Sequence, residues 1–251
     1  MSVWAILPCR AVSSRLYCKP LHRIGDCTIL DHLITNIRSL NAVDGIVLAI
    51  AEGRANHGFI EFAENRSLPY VVGPEQNVLK RVLQAVKQFD VDTMFRMTTE
   101  CPFIYAEGAG EVITEHVSGN FDFTTILDLP LGTTYELIKT SLLHEMAATG
   151  DTRYQAPLSL YVYDHQNRLR VRLLHPVEEC RRPELNFAVD HPGQLIFCQR
   201  AFAYLQGRGM PIRVADLIRY HDENPLVRAL VESIHENVYA VKPDQTMARV
   251  W

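Results

Sequence analysis

Arg10, Ser13, Ser14, Arg15 and Lys19 share one short loop that follows the apolar run Val3–Leu7 and Pro8. A guanidinium can fork onto phosphate oxygens, and a lysine supplies a compact point charge. Serine hydroxyls and nearby backbone N–H groups complete a cradle of the kind a bound triphosphate requires. When an α-phosphorus is attacked and pyrophosphate leaves, negative charge grows on the phosphate oxygens. Cations fixed in advance against that charge supply much of the catalysis. The plainer reading of the same residues is a solvated basic loop.

The elements that must hold this loop follow from periodicity. Val3–Leu7 reads as a buried first strand, Gly45–Ile50 as a second and Tyr70–Val72 as a short third. Thr93–Met97 reads as the next strand, with Thr98-Thr-Glu-Cys-Pro102 as the loop at its end. Helical spacing of apolar residues predicts helices over Thr28–Leu40, Phe59–Asn65, Asn77–Phe89 and Glu107–His116. Alternating strands and helices argue for a parallel sheet with helices on both faces, and ligands in such sheets sit beyond the carboxyl ends of the strands. The second half changes character. Phe121–Leu127, Ser159–Tyr163 and Leu169–Leu174 read as strands, Leu142–Ala148 as a helix, and Gln194–Leu205 and Val214–Tyr220 as closing helices. The expected architecture is α/β: a Rossmann-like domain with a mostly parallel sheet and a β-rich insertion that handles a second substrate.

Bulk properties exclude several alternatives. The chain has 251 residues, 47% hydrophobic and 22% charged, which supports a sizeable core and argues against disorder. A net charge of −4 argues against a general nucleic-acid binder. Six cysteines, at 9, 18, 27, 101, 180 and 198, form no C-x-x-C pair, and no H-E-x-x-H occurs among the histidines. No apolar run approaches the roughly 20 residues that span a bilayer. No basic-then-apolar leader opens the chain, so a cytoplasmic location with reduced thiols is the expectation.

Five segments resemble one family. The loop R-x-x-S-x-R-L-x-x-K-P-L, from Arg10 to Leu21, resembles the signature of the CMP-sugar synthetases, which activate acidic sugars with CTP. Gly73-Pro-Glu-Gln-Asn-Val-Leu-Lys-Arg81 is similar to G-x-x-x-D-V-L-x-R near the nucleotide base, with Gly73 and Arg81 retained and Asn77 in place of an acid. Arg96-Met-Thr-Thr-Glu-Cys-Pro-Phe-Ile104 resembles R-x-T-G-D-C-P-L-I, whose aspartate binds Mg²⁺. Here Glu100 occupies that place, with Thr98 expected at the nucleotide. The segment ending Asn186-Phe-Ala-Val-Asp-His-Pro192 is similar to R-x-T-V-D-T-P, which makes Asp190 the second Mg²⁺ ligand. Both acids also fit helix-capping patterns. Pro130-Leu-Gly-Thr-Thr-Tyr-Glu136 resembles P-x-G-x-x-x-E at the sugar side of the pocket, where Glu136 would meet the acceptor. The spore-coat polysaccharide type of cytidylyltransferase is the nearest subgroup, and Asp216–Leu226 fits its usual tail.

The resemblance implies a nucleotidyltransferase (GT-A-like) fold. It divides the single domain into a nucleotide-binding core, about 1–120 and 183–251, and an acceptor and dimerisation region, about 121–182. It also implies Mg²⁺, CTP, an anionic acceptor and a homodimer. Its departures carry chemical consequences. Thr99 replaces a glycine and narrows the approach to the nucleotide. Glu100 is one methylene longer than aspartate. Tyr17-Cys18 stand where Pro-Gly is common, and of R-E-H-V-T only Arg153 remains, as a candidate for an anionic acceptor. Three functions follow: CMP transfer to an acidic sugar, the same transfer to a phosphonate or phosphorylated alcohol, or a nucleotide-binding relative that has lost catalysis.

Overall fold

The computed structural model describes residues 1–210 and 212–232. In chain order the strands are β1 (Val3–Cys9), β2 (Arg23–Ile24), β3 (Cys27–Thr28), β4 (Gly45–Ala51), β5 (Tyr70–Gly73), β6 (Thr93–Arg96), β7 (Phe123–Ile126), β8 (Glu136–Lys139) and β9 (Val171–Leu174). The helices are α1 (Ile29–Arg38), α2 (His57–Asn65), α3 (Val78–Phe89), α4 (Ala109–Ser118), α5 (Thr140–Ala148), α6 (Leu158–His165), α7 (Pro192–Gln206), α8 (Val214–Glu223) and α9 (Pro225–Glu232).

Seven strands form one sheet in the order β5-β4-β1-β6-β8-β7-β9, while β2 and β3 pair separately. β8 runs antiparallel to β6 and β7, and the other pairings are parallel. The carboxyl ends of β1, β4, β5, β6, β7 and β9 therefore share one rim. Strand alternation splits the core into two layers. Ala5 and Leu7 of β1 pack with Leu33 of α1, Phe59 of α2 and Phe197 of α7. Ile6 packs with Val82 of α3, Leu143 of α5 and Tyr161 of α6 on the opposite face.

Local chemistry sets the helix starts. Thr28 and Asp31 form a reciprocal capping box on α1. The Asn77 side chain accepts from Lys80 N at 2.8 Å and starts α3. Asn in place of the family acid thus keeps the cap.

The sheet corrects one expected strand. Ser159–Tyr163 lies inside α6, whose Leu158, Tyr161 and Val162 are buried at helical spacing. Its aromatic and β-branched residues favour strands locally, but burying Tyr161 against Tyr154 and the α3–α5 layer overrides that preference. The strand β8 has no counterpart in the sequence reading, because four residues with polar ends show no clear alternation. β7, β8 and β9 extend the main sheet, so the β-rich segment continues the nucleotidyltransferase-like core.

Candidate active site

The loop after β1 is held at Ala11. Ala11 N donates to Oδ1 of buried Asn56 at 2.8 Å, and Ala11 O accepts from Cys18 N at 2.8 Å. Asn56 is fixed in turn by donating Nδ2 to Glu52 O at 2.9 Å. Cys18 has φ 53°, the left-handed region, so the backbone needs there what the family glycine supplies without strain. The turn Lys19–Leu21 follows and buries the Lys19 side chain.

The two acids are brought together by main-chain ties. Thr99 Oγ1 donates to Pro8 O at 3.1 Å, which pins the loop after β6 to the end of β1. Val189 N donates to Glu100 O at 3.0 Å. Asp190 is buried and accepts on Oδ1 from Lys19 Nζ and, at 2.8 Å, from Arg15 Nη2. Gln194 Oε1 accepts from Asp190 N at 2.8 Å and His191 N at 2.9 Å. The glutamine caps this end of α7, so the Asp190 carboxylate is left to the cations. Burial raises the Glu100 pKa, and the Asp190 charge raises it further against the opposing pull of Lys19. Two carboxylates thus share one small volume beside two cations.

A cavity of about 510 Å³ opens over this cluster at the strand ends. Arg10, Ser13, Ser14, Arg15, Lys19, Thr98 and Glu100 all line it. Asp190 is not among the lining residues but pairs with two that are, Arg15 and Lys19. Glu75, Gln76 and Val78 form the wall toward β5, with Ala156 reaching in from the α5–α6 connection. Arg81 also borders the cavity, but its guanidinium is spent on the main chain. It donates to Ala49 O at 3.2 Å, Pro74 O at 2.6 Å and Glu75 O at 2.8 Å, which shapes the 74–76 loop. Gly73 lies behind this wall. A Cβ there would sit 2.2 Å from Gln84 Oε1 and 3.0 Å from Arg81 Cγ, so the glycine permits close packing of α3 on β5.

On the far side Glu136 pairs with Arg96 Nη1, and Arg96 lines the cavity. Arg153, the candidate for an anionic acceptor, is not among the residues that line the cavity; it bonds Asp151 at 2.7 Å and lies over the Tyr154 ring at 5.1 Å, with a long contact to Asp164 at 3.5 Å. An isolated matching arginine carried no information about which way the chain turns, and the misread α6 segment lies just beyond it. Asn56, Arg96 and Gln194 were not expected in these roles. Arg96 opens the motif that contains Glu100, so its signal was present. Asn56 acts through tertiary contact and has no local signature.

A family model for cytidylyltransferases matches residues 4–198. The chain belongs to the cytidylyltransferase family. It is therefore a nucleotidyltransferase. It is similar to the spore coat polysaccharide biosynthesis protein SpsF of Bacillus subtilis, 26% identical over 191 residues, covering 74% of this chain and 80% of that one. A cytidylyltransferase from Leptospira borgpetersenii shares the fold with TM-score 0.81 at 19% identity, over 95% of this chain and 99% of that one. A CMP:2-keto-3-deoxy-manno-octonic acid synthetase complexed with CTP superposes with TM-score 0.61 at 11% identity, over 83% of this chain and all of the other. Among the described residues, no helix of this cytidylyltransferase is long and apolar enough to cross a membrane.

Proposed function

We propose that this cytidylyltransferase transfers CMP from CTP to an oxygen of an acidic sugar and releases pyrophosphate, with Mg²⁺ as the working metal. The observation that carries the reading is the convergence of Lys19 and Arg15 on Asp190, beside Glu100, in one cavity at the strand ends. The acceptor hydroxyl oxygen forms a bond to the α-phosphorus and gives up its proton to solvent, while the bond from that phosphorus to the β-phosphate bridge breaks and pyrophosphate leaves with the electron pair. Lys19 and Arg15 bind the triphosphate oxygens and stabilise the charge that grows on them. Ser13, Ser14 and Arg10 extend the same cradle, and the loop clamped by Arg81 borders the nucleotide. The cradle keeps its shape because Asn56 and Cys18 grip Ala11 from both sides.

The acids fit a divalent cation. Their donors are oxygens only, and the burial and mutual repulsion that raise the Glu100 pKa are what a cation between them would relieve. Among the described residues, no group of three or more His, Cys, Asp or Glu could hold a metal alone. Mg²⁺ suits a site with one or two carboxylates, since phosphate oxygens and water complete its shell. Glu100 and Asp190 would hold it, and it would supply Lewis-acid charge at the phosphate.

The kinship with a spore-coat polysaccharide protein supports a surface-glycan role, and the fold shared with a synthetase solved with CTP supports CTP as donor. A cytoplasmic homodimer built through residues 121–182 belongs to the same reading. Calorimetric titration with CTP, UTP, GTP and ATP, each with and without Mg²⁺, tests it. Selective, Mg²⁺-dependent CTP binding is the expected result. No binding to any of the four overturns the proposal and favours a relative that has lost catalysis.

A further inference from the structure

The sheet carries a second polar opening, at the end of β6 opposite the catalytic cavity. Thr93 starts β6 and pairs in register with Lys139 at the end of β8. Strand alternation puts both side chains on the face that α4 covers, since Phe95 and Leu137, two residues along each strand, share a core layer with Ile113 of α4. There Thr93 and Lys139 line a recess of about 230 Å³ together with His116 of α4, Asn120 and Ser141. Two of these side chains are buried with bonding capacity left over. Thr93 is 3% exposed, and its hydroxyl has no hydrogen-bond partner among the described residues. His116 is 1% exposed, its Nδ1 meets Thr124 Oγ1 at 2.8 Å, and its Nε2 has no partner among the described residues. Neither Thr93 Oγ1 nor His116 Nε2 is sealed from solvent, so both open on the recess they line. Buried polar groups normally have a partner, and here the partner comes from outside the chain.

The recess is richer in donors than in acceptors. Lys139 Nζ donates to Asn120 Oδ1 at 2.7 Å, which leaves further N–H donors on the ammonium and both on Asn120 Nδ2. Ser141 adds a hydroxyl, and α5 starts beside it without a side-chain cap, so its first-turn N–H groups add positive polarity. The nearby carboxylates are turned to other work. Asp92, at the rim, is 57% exposed and accepts from Ser2 N at 2.7 Å, and Asp122, outside the lining, accepts from Arg170 N at 2.9 Å. Burial lowers the His116 pKa to about 4, against Asp122 and with Lys139, so the ring is neutral at pH 7. A neutral ring whose Nδ1 accepts from the Thr124 hydroxyl presents an N–H at Nε2. We propose that this recess is an oxyanion site, in which a phosphate-sized anion accepts from Lys139 Nζ, the Thr93 hydroxyl and His116 Nε2. The site does not depend on the nucleotidyl-transfer reading, because Arg15 and Lys19 line the cavity at the other end of β6.

Proton NMR of the histidine rings in the full-length protein tests the site, with the His116 signals assigned by their loss in His116→Gln. Inorganic phosphate, titrated in metal-free buffer at pH 7, is expected to shift the His116 signals saturably. Sodium chloride at matched ionic strength should not. A bound anion favours the imidazolium, so saturating phosphate should also move the ring's titration upward from about 4. Thr93→Val keeps the shape without the hydroxyl and should weaken phosphate at this ring by about tenfold, the scale of one charge-assisted bond, and Lys139→Met by at least as much. Phosphate can also enter the catalytic cavity, but neither substitution touches that cavity, so a response lost in both variants with CTP binding retained marks the recess. The unfolding midpoint of each variant reports whether it folds. No saturable shift in wild-type protein, an equal shift from chloride, or unchanged phosphate affinity in the folded variants overturns the proposal. Lost CTP binding with the His116 response intact removes the proposed function and leaves this site.

Discussion

Lys19, from the loop after β1, donates its Nζ to Oδ1 of Asp190, just ahead of α7. Arg15 reaches the same oxygen at 2.8 Å. The cations assigned to the triphosphate and an acid assigned to the metal are therefore in direct contact. Each offsets the charge of the other inside a largely buried cluster, where either charge alone would be costly.

That contact makes the two halves of Asp190→Asn separable. The substitution removes a proposed metal ligand, so pyrophosphate release from CTP should fall by about 10²–10³-fold. It also releases Lys19 and Arg15 from a competing negative charge. CTP binding in metal-free buffer should therefore hold or tighten. Full retained turnover would remove Asp190 from the mechanism.

Glu100→Asp tests whether the longer acid is native to its place. The Glu100 backbone is tied to Val189 N at 3.0 Å, and the neighbouring Thr99 is tied to Pro8 O at 3.1 Å. The backbone cannot advance to make up the missing methylene, so the carboxylate withdraws by about 1 Å. Misplacement on that scale can cost about 10²-fold in rate, and a loss of turnover of at least about tenfold is expected in a pyrophosphate assay. A gain would mark the wild-type site as decayed.

Gly132 has φ +87°, and a Cβ built on it would lie 2.5 Å from Ala188 N and 2.8 Å from Ala188 Cα. The flanking bonds Leu131 N to Leu185 O and Phe187 N to Leu131 O, both 2.8 Å, leave no room for the segments to part. Gly132→Ala should cost roughly 2–4 kcal/mol from backbone strain and overpacking combined. Urea denaturation reads the loss. Turnover should fall with it, since the displaced segment leads directly to Asp190.

His116 supplies a pH dependence independent of the cavity. Its ring is 1% exposed and hydrogen-bonds Thr124 Oγ1 at 2.8 Å. Burial lowers its pKa from 6.5 to about 4, with Asp122 opposing and Lys139 reinforcing the shift. Between these values the unfolded chain binds a proton that the folded chain refuses. The stabilisation is complete above about pH 6.5 and is lost as pH falls toward 4, by up to about 3 kcal/mol. In His116→Gln the loss of unfolding free energy between pH 7 and pH 4.5, read by urea denaturation, should shrink by about 2 kcal/mol. An equal drop in both proteins would show that the ring titrates normally.

The cationic loop after β1, the alternation of strand and helix, and the two motifs that carry Glu100 and Asp190 were all legible in the chain, because each is written in residues close together in sequence. Cations and hydroxyls crowd between positions 10 and 19, and one apolar face repeats along α1 and α3. What tertiary structure alone decided depends on contacts between distant segments. Asn56 became the brace of the loop after β1 by accepting from Ala11 N. Ser159–Tyr163 became helix because Tyr161 found a buried place between α3 and α5. Arg153 turned outward to Asp151, while Arg96 met Glu136 through the register of β6 and β8. Local sequence specifies what a residue can do chemically. Which partner it meets is set by burial and strand register, whose free energies are shared across the whole sheet and outweigh local preference.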